Sequence, residues 1–127
     1  MHIYKEFFLG YDLGQMVSKR KISEAVDRLR RKVRPVRIIL FGSYARGEAG
    51  PGSDLDLLIV EKSVRDTHRE MVRLQDLLRP LRLNADLLVV SEKSFRDWSD
   101  TPGSVIYQAA REGKVIYEME RAGRKAG

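Results

Sequence analysis

The 127-residue sequence contains no cysteine, which excludes disulfides and thiolate metal centres. Its two histidines, His2 and His68, are too few for an ordinary zinc site, so any bound metal must rest on oxygen ligands. Asparagine occurs once, at Asn84, and glutamine is scarce, while lysine, arginine and glutamate abound; this composition fits a thermophile. Long apolar runs are missing too. The patch at Met1–Leu9 is broken by Lys5 and Glu6 and followed by Asp12, well short of a signal core or membrane span, which predicts a cytoplasmic protein with no membrane contact.

What is present is enough chain for one domain with a core, and too little for a catalytic domain plus a separate substrate domain. The net charge of +6 and pI of about 9.8 suit contact with phosphates, nucleic acid or an acidic protein surface without choosing among them. Residues 1–17 show no clean period, and Gly10 and Gly14 argue against a continuous helix, so they read as an amino-terminal extension. The domain proper is expected over 18–119, followed by a basic, frayed tail over 120–127.

Within 18–119 the pattern alternates. Ile22, Val26, Leu29 and Val33 form one stripe of a helix beginning at Ser18, and basic residues cover the rest of it; Pro35 ends it. That basic face reads as an ordinary solvated surface, and with no interleaved aromatics nucleic acid is not the expected main partner. Val36–Phe41 and Leu57–Val60 read as strands. Val64–Arg79 reads as a helix with Met71, Leu74 and Leu78 buried and Pro80 at its end. Asp86-Leu87-Leu88-Val89-Val90 repeats the pattern of Asp56-Leu57-Leu58-Ile59-Val60. A strand, helix, strand unit of this length predicts parallel neighbours with Asp86 beside Asp56. A short helix over Ser91–Trp98 follows, then one from Ser104 with Val105, Ile106, Ala109 and Ala110 inward. Gly113 reads as its stop and Val115–Tyr117 as a last strand or edge. The fold class is α/β in the broad sense (α+β), a small mixed sheet flanked by helices.

The chemistry concentrates between residues 42 and 56. Gly42-Ser43 opens a turn, Arg46 follows, and after the loop from Gly47 to Gly52 come Asp54 and Asp56, two apart and so on one face of a strand. With Asp86 they make three carboxylates at one end of a sheet. Two carboxylates about 4 Å apart repel by roughly 4 kcal/mol at an effective dielectric near 20, a conflict that a divalent cation resolves. Ligation by oxygen alone suits Mg²⁺, and two ions bridged by carboxylates fit the arrangement. Glycine lets the backbone approach a phosphate, the amides opening the next helical turn point toward it, and the Ser43 hydroxyl and Arg46 can add donors. Together these parts describe nucleotidyl transfer: an acceptor oxygen attacks the α-phosphate of a nucleoside triphosphate and pyrophosphate leaves.

Gly42-Ser43, ten residues, then Asp54-Leu55-Asp56 resembles the signature of the DNA polymerase β type nucleotidyltransferase superfamily, and in particular its smallest members, the minimal nucleotidyltransferases (MNT). The resemblance implies a polymerase β-like fold, with Gly42, Ser43 and Arg46 on the nucleotide phosphates. Asp54, Asp56 and Asp86 would serve as metal-binding and catalytic carboxylates, with two Mg²⁺ as cofactors and ATP as substrate. No carboxy-terminal helical domain is present to seat base and acceptor, which points to a partner subunit in a homo- or hetero-oligomer. Proteins resembling this one are commonly paired with a small helical HEPN protein, often an RNase toxin, so the resemblance implies an antitoxin of a HEPN/MNT toxin–antitoxin system that moves AMP from ATP to a tyrosine of its partner. The alternatives are transfer to a small molecule or an RNA end, and neutralisation of a partner by contact alone.

Overall fold

The computed structural model describes residues 2–3, 19–50 and 52–120. Its elements are β1 (His2–Ile3), α1 (Lys19–Val33), β2 (Arg37–Phe41), α2 (Ser43–Arg46), β3 (Leu55–Glu61), α3 (Thr67–Leu78), a 3₁₀ turn (Arg79–Leu81), β4 (Ala85–Ser91), α4 (Glu92–Trp98), α5 (Val105–Glu112) and β5 (Lys114–Glu118). They form one mixed five-stranded sheet in the order β1-β5-β2-β3-β4. β2 runs antiparallel to β3 and β5, and β3 runs parallel to β4 with Asp56 opposite Asp86, as the matching Asp-led patterns predict. The fold is therefore the mixed α+β arrangement expected. Ser18 and the tail from Arg121 lie outside the described residues.

Alternation along the strands divides the sheet into two faces. Ile38, Leu40, Leu55, Leu57, Ile59, Leu87 and Val89 point to the face covered by α1 and α3, where Ile22, Ala25, Val26, Leu29, Leu74 and Leu78 complete the main core. Ile39, Leu58 and Val60 point the other way, onto Ala109 of α5 and Phe95 of α4. Asp56 and Asp86 share the parity of Leu58 and Val60, so they lie on the α4–α5 face, behind which α1 sits with its basic surface.

Several boundaries differ from those the sequence suggests. α3 begins at Thr67 rather than Val64, because the Asp66 side chain accepts a hydrogen bond from the Arg69 amide at 3.1 Å and caps the helix there. Pro80 does not end the helical path; it sits inside the 3₁₀ turn, where its missing N–H is not needed. In α5 only Ile106 and Ala109 reach the sheet, while Val105 and Ala110, expected inward, flank that narrow stripe and are exposed. Gly113 ends α5 without a left-handed cap (φ −79°); a β-carbon there would overlap the Ala109 carbonyl oxygen and come within 2.5 Å of Ile39 Cγ2. β1, unread in the sequence, pairs with β5 through His2 opposite Glu118 and Ile3 opposite Tyr117.

Among the described residues one charged side chain is buried in this framework. Glu61, at the end of β3, is 9% exposed and its Oε2 lacks a hydrogen-bond partner. Burial and the neighbouring Glu70 carboxylate push its carboxyl up to about 8, while Glu70, bonded to Arg73, stays below its ordinary value. A carboxyl raised in the folded state favours folding fully below its unfolded pKa, and that advantage is lost as pH climbs through the folded value. Glu61→Gln should therefore stabilise the protein increasingly from pH 5 to pH 8, by on the order of 1 kcal/mol or more at the upper end. Urea unfolding at the two pH values measures this; an equal effect at both would show that Glu61 is already ionised.

Candidate active site

The apolar run of β2 drives it through the middle of the sheet and ends it at Phe41, directly opposite Asp56. The next residue, Gly42, turns the chain at φ 73° and ψ −154° into the single helical turn α2. Its carbonyl accepts the amides of Ala45 and Arg46, both at 3.1 Å, while Tyr44 and Ala45 are buried and anchor the turn to the core. A β-carbon on Gly42 would overlap Asp56 Oδ2 and stand 3.0 Å from its Cγ. The glycine is thus required both by its left-handed φ and by a carboxylate packed against it.

The loop that follows is fastened rather than slack. Ser53 Oγ accepts the Gly50 amide at 2.9 Å, the Ser53 amide donates back to the Gly50 carbonyl at 3.1 Å, and the Leu55 amide donates to the Asn84 carbonyl at 2.8 Å. These bonds fix the start of β3 beside the start of β4 and so set Asp56 next to Asp86. Asp54 stands just before β3 begins. Asp54 and Asp86 are exposed, and Asp56 is half-buried between them.

Charge repulsion is built into this arrangement. Burial raises the Asp56 carboxyl above its ordinary value, the charges of Asp86 and Asp54 raise it further, and Arg46 offsets part of the effect. Arg46 itself is held by Glu48 at 2.9 Å, with Glu112 of α5 at 3.7 Å, so its guanidinium is anchored at the mouth of the site. Neither glutamate belongs to the glycine, serine and aspartate pattern of the sequence. Glu48, two residues from Arg46, is a signal available there, whereas Glu112 is brought close only by the packing of α5.

The three aspartates do not close into a cage: among the described residues no three acidic or histidine side chains are gathered tightly enough to hold a metal ion. Asp54 precedes the first residue of β3, whereas Asp56 and Asp86 stand opposite each other in the strand register. The donor chemistry nonetheless suits a hard divalent cation, which needs only one or two carboxylates when water and substrate phosphates supply its other ligands.

This geometry has counterparts. The chain belongs to the nucleotidyltransferase domain family, which matches it over residues 20–122, and nucleotidyl transfer is its enzyme class. A toxin–antitoxin structure with AMP-PNP is 25% identical over 80% of this chain and 73% of that one, with a TM-score of 0.56. A tri-AMPylated Shewanella oneidensis HEPN toxin in complex with an MNT antitoxin shows the same fold at 20% identity, over 80% of this chain and 72% of that one, with a TM-score of 0.52. The MntA–HepT toxin–antitoxin structure has 20% identity, 80% and 74% coverage, and a TM-score of 0.51. Among curated proteins nothing matches. No helix among the described residues is long and apolar enough to cross a membrane.

Two outcomes test the site. Gly42→Ala should destabilise the protein by about 1–3 kcal/mol and displace the Asp56 carboxylate; an unchanged Tm would mean that the turn relaxes freely. For Asp56 the raised pKa means that its ionised form opposes folding, with the stability lost as pH rises through the folded value. Asp56→Asn should accordingly raise Tm by a few degrees at pH 7 in EDTA, and a lowered Tm would show that the carboxylate is stabilising.

Proposed function

We propose that this nucleotidyltransferase moves AMP from ATP to a tyrosine hydroxyl of a partner HEPN protein, and so acts as the antitoxin of a HEPN/MNT pair. The observation that carries the reading is Asp56 held between Asp54 and Asp86 and packed against the Gly42-Ser43 turn. The family and the likeness to a toxin–antitoxin structure with AMP-PNP at 25% identity support it. The AMPylated toxin of the Shewanella complex suggests the kind of acceptor.

In this scheme the Gly42-Ser43 turn cradles the triphosphate with its amides and the Ser43 hydroxyl. Arg46 neutralises charge on the departing pyrophosphate. Asp54, Asp56 and Asp86 would hold Mg²⁺, which when bound polarises the phosphates and offsets carboxylate repulsion. Asp86, exposed beside Asp56, takes the proton from the acceptor hydroxyl. A bond forms between the acceptor oxygen and the α-phosphorus, the bond to the bridging oxygen of the β-phosphate breaks, and pyrophosphate departs. The basic surface of α1 lies across the sheet from the aspartates, which supports a protein rather than a nucleic-acid acceptor.

Incubation with Mg²⁺, ATP labelled at the α-phosphate and the product of the neighbouring gene should label that protein, and Asp54→Ala with Asp56→Ala should abolish the label. Label that persists in the double variant would refute the carboxylate assignment. Tight Mg·ATP binding with no labelled protein would move the acceptor to RNA ends or small molecules.

A further inference from the structure

A third of this chain's residues are charged, yet one groove on its surface has no charged side chain in its lining. It has a volume of about 360 Å³ and runs beside β4, bounded by Leu88 and Val90 of the strand, Val64 before α3, and Trp98 and Val105 at the turn between α4 and α5. Trp98, the only tryptophan of the chain, is 50% exposed and Val105 is 44% exposed. The polar groups interspersed along it, such as Ser91 and Ser94, are uncharged.

Its position connects it to the active site. β4 is an outer strand whose one strand neighbour among the described residues is β3. Leu88 and Val90 stand two and four residues beyond Asp86 and alternate onto the same face of the sheet. From Asp86 to Ser91 the strand covers about 16 Å, the reach of five or six extended residues. A segment lying in the groove along β4 would therefore place its next residues within reach of Asp86.

We infer that this groove docks an apolar segment of the acceptor protein next to the residue that receives the nucleotide. The inference rests on the protein-acceptor reading above and extends it by naming the surface. Tryptophan is among the residues enriched in binding hot spots, since it buries a large area with little side-chain entropy to lose. A charge-free contact also suits a +6 protein, because association there neither depends on nor suffers from the field of the α1 face. Nucleic acid would find no cation in the lining, and a second copy of this chain is the remaining competitor.

The test uses the intact protein and a HEPN protein that it is found to label, or failing one the HEPN toxin of the Shewanella complex, with binding followed by calorimetry at 50 and 300 mM NaCl and transfer followed with labelled ATP. Trp98→Ala with Val105→Ser should weaken HEPN binding at least tenfold at both salt concentrations and raise KM for the HEPN protein, leaving ATP affinity unchanged. The charge-reversed pair Arg28→Glu with Lys32→Glu, on the opposite face, should bind HEPN normally. Unchanged HEPN binding in the Trp98/Val105 variant would overturn the inference while leaving the transfer reading intact. Loss of a homodimer by that variant in sedimentation, with HEPN binding preserved, would assign the groove to a second copy and likewise overturn it. Groove-dependent binding without label transfer would refute the catalytic reading alone, and absence of HEPN binding by the wild type would refute both.

Discussion

The contact between Gly42 and the carboxylate of Asp56 governs the rest of the site. Because Phe41 pairs with Asp56, the residue after β2 must turn beside that carboxylate, and only a residue without a side chain can do so. The amides that open α2 and the carboxylates that open β3 are therefore neighbours by strand register, not by loop flexibility. The loop between them is closed by Ser53 on Gly50, and the strand start is fastened to Asn84, so the two halves of the site share one rigid frame. Holding catalytic groups on packed elements in this way fixes their geometry before substrate arrives.

β3 carries a strained carboxyl at each end, and the two are treated differently. Glu61 is shut away with Glu70 and Arg73 and answers burial by keeping its proton. Asp56 is half-buried, flanked by two exposed aspartates and countered only in part by Arg46. The first is a cost absorbed by the core. The second stays open to the surface, where a cation or a substrate can relieve it, as expected where binding energy is directed to a functional site.

The sheet also separates the protein's charge from its chemistry. Residues 19 to 34 hold eight of the 24 basic residues and two of the 18 acidic ones, a net +6 equal to that of the whole chain. Most of that segment is α1, on the face away from the aspartates. Basic residues in its last turn suit the negative end of the helix, but Lys19, Arg20 and Lys21 in the first turn oppose the dipole. On the other face the second core is small, and it leaves an uncharged groove along β4 within reach of Asp86.

The sequence alone determined the elements whose signal is local. The runs ending at Phe41 and Val60 and the repeated aspartate before four apolar residues mark three strands, the parallel sense of two of them and the pairing of Asp56 with Asp86, while the antiparallel sense of β2 and β3 is seen only in the sheet. Such signals survive because burial of one face writes a period into neighbouring residues. Tertiary structure decided what no period records. β1 exists because β5 offers an edge to His2 and Ile3; Val105 and Ala110 stay outside because α5 meets the sheet along a two-residue stripe; Gly113 is glycine because Ile39 approaches it. Arg46 is steered by Glu112 from a helix more than sixty residues away in sequence, and the groove at Trp98 is visible only once β4 is known to be an outer strand. These depend on which surfaces remain uncovered after the strong elements pack, a property of the assembled chain that no local stretch contains.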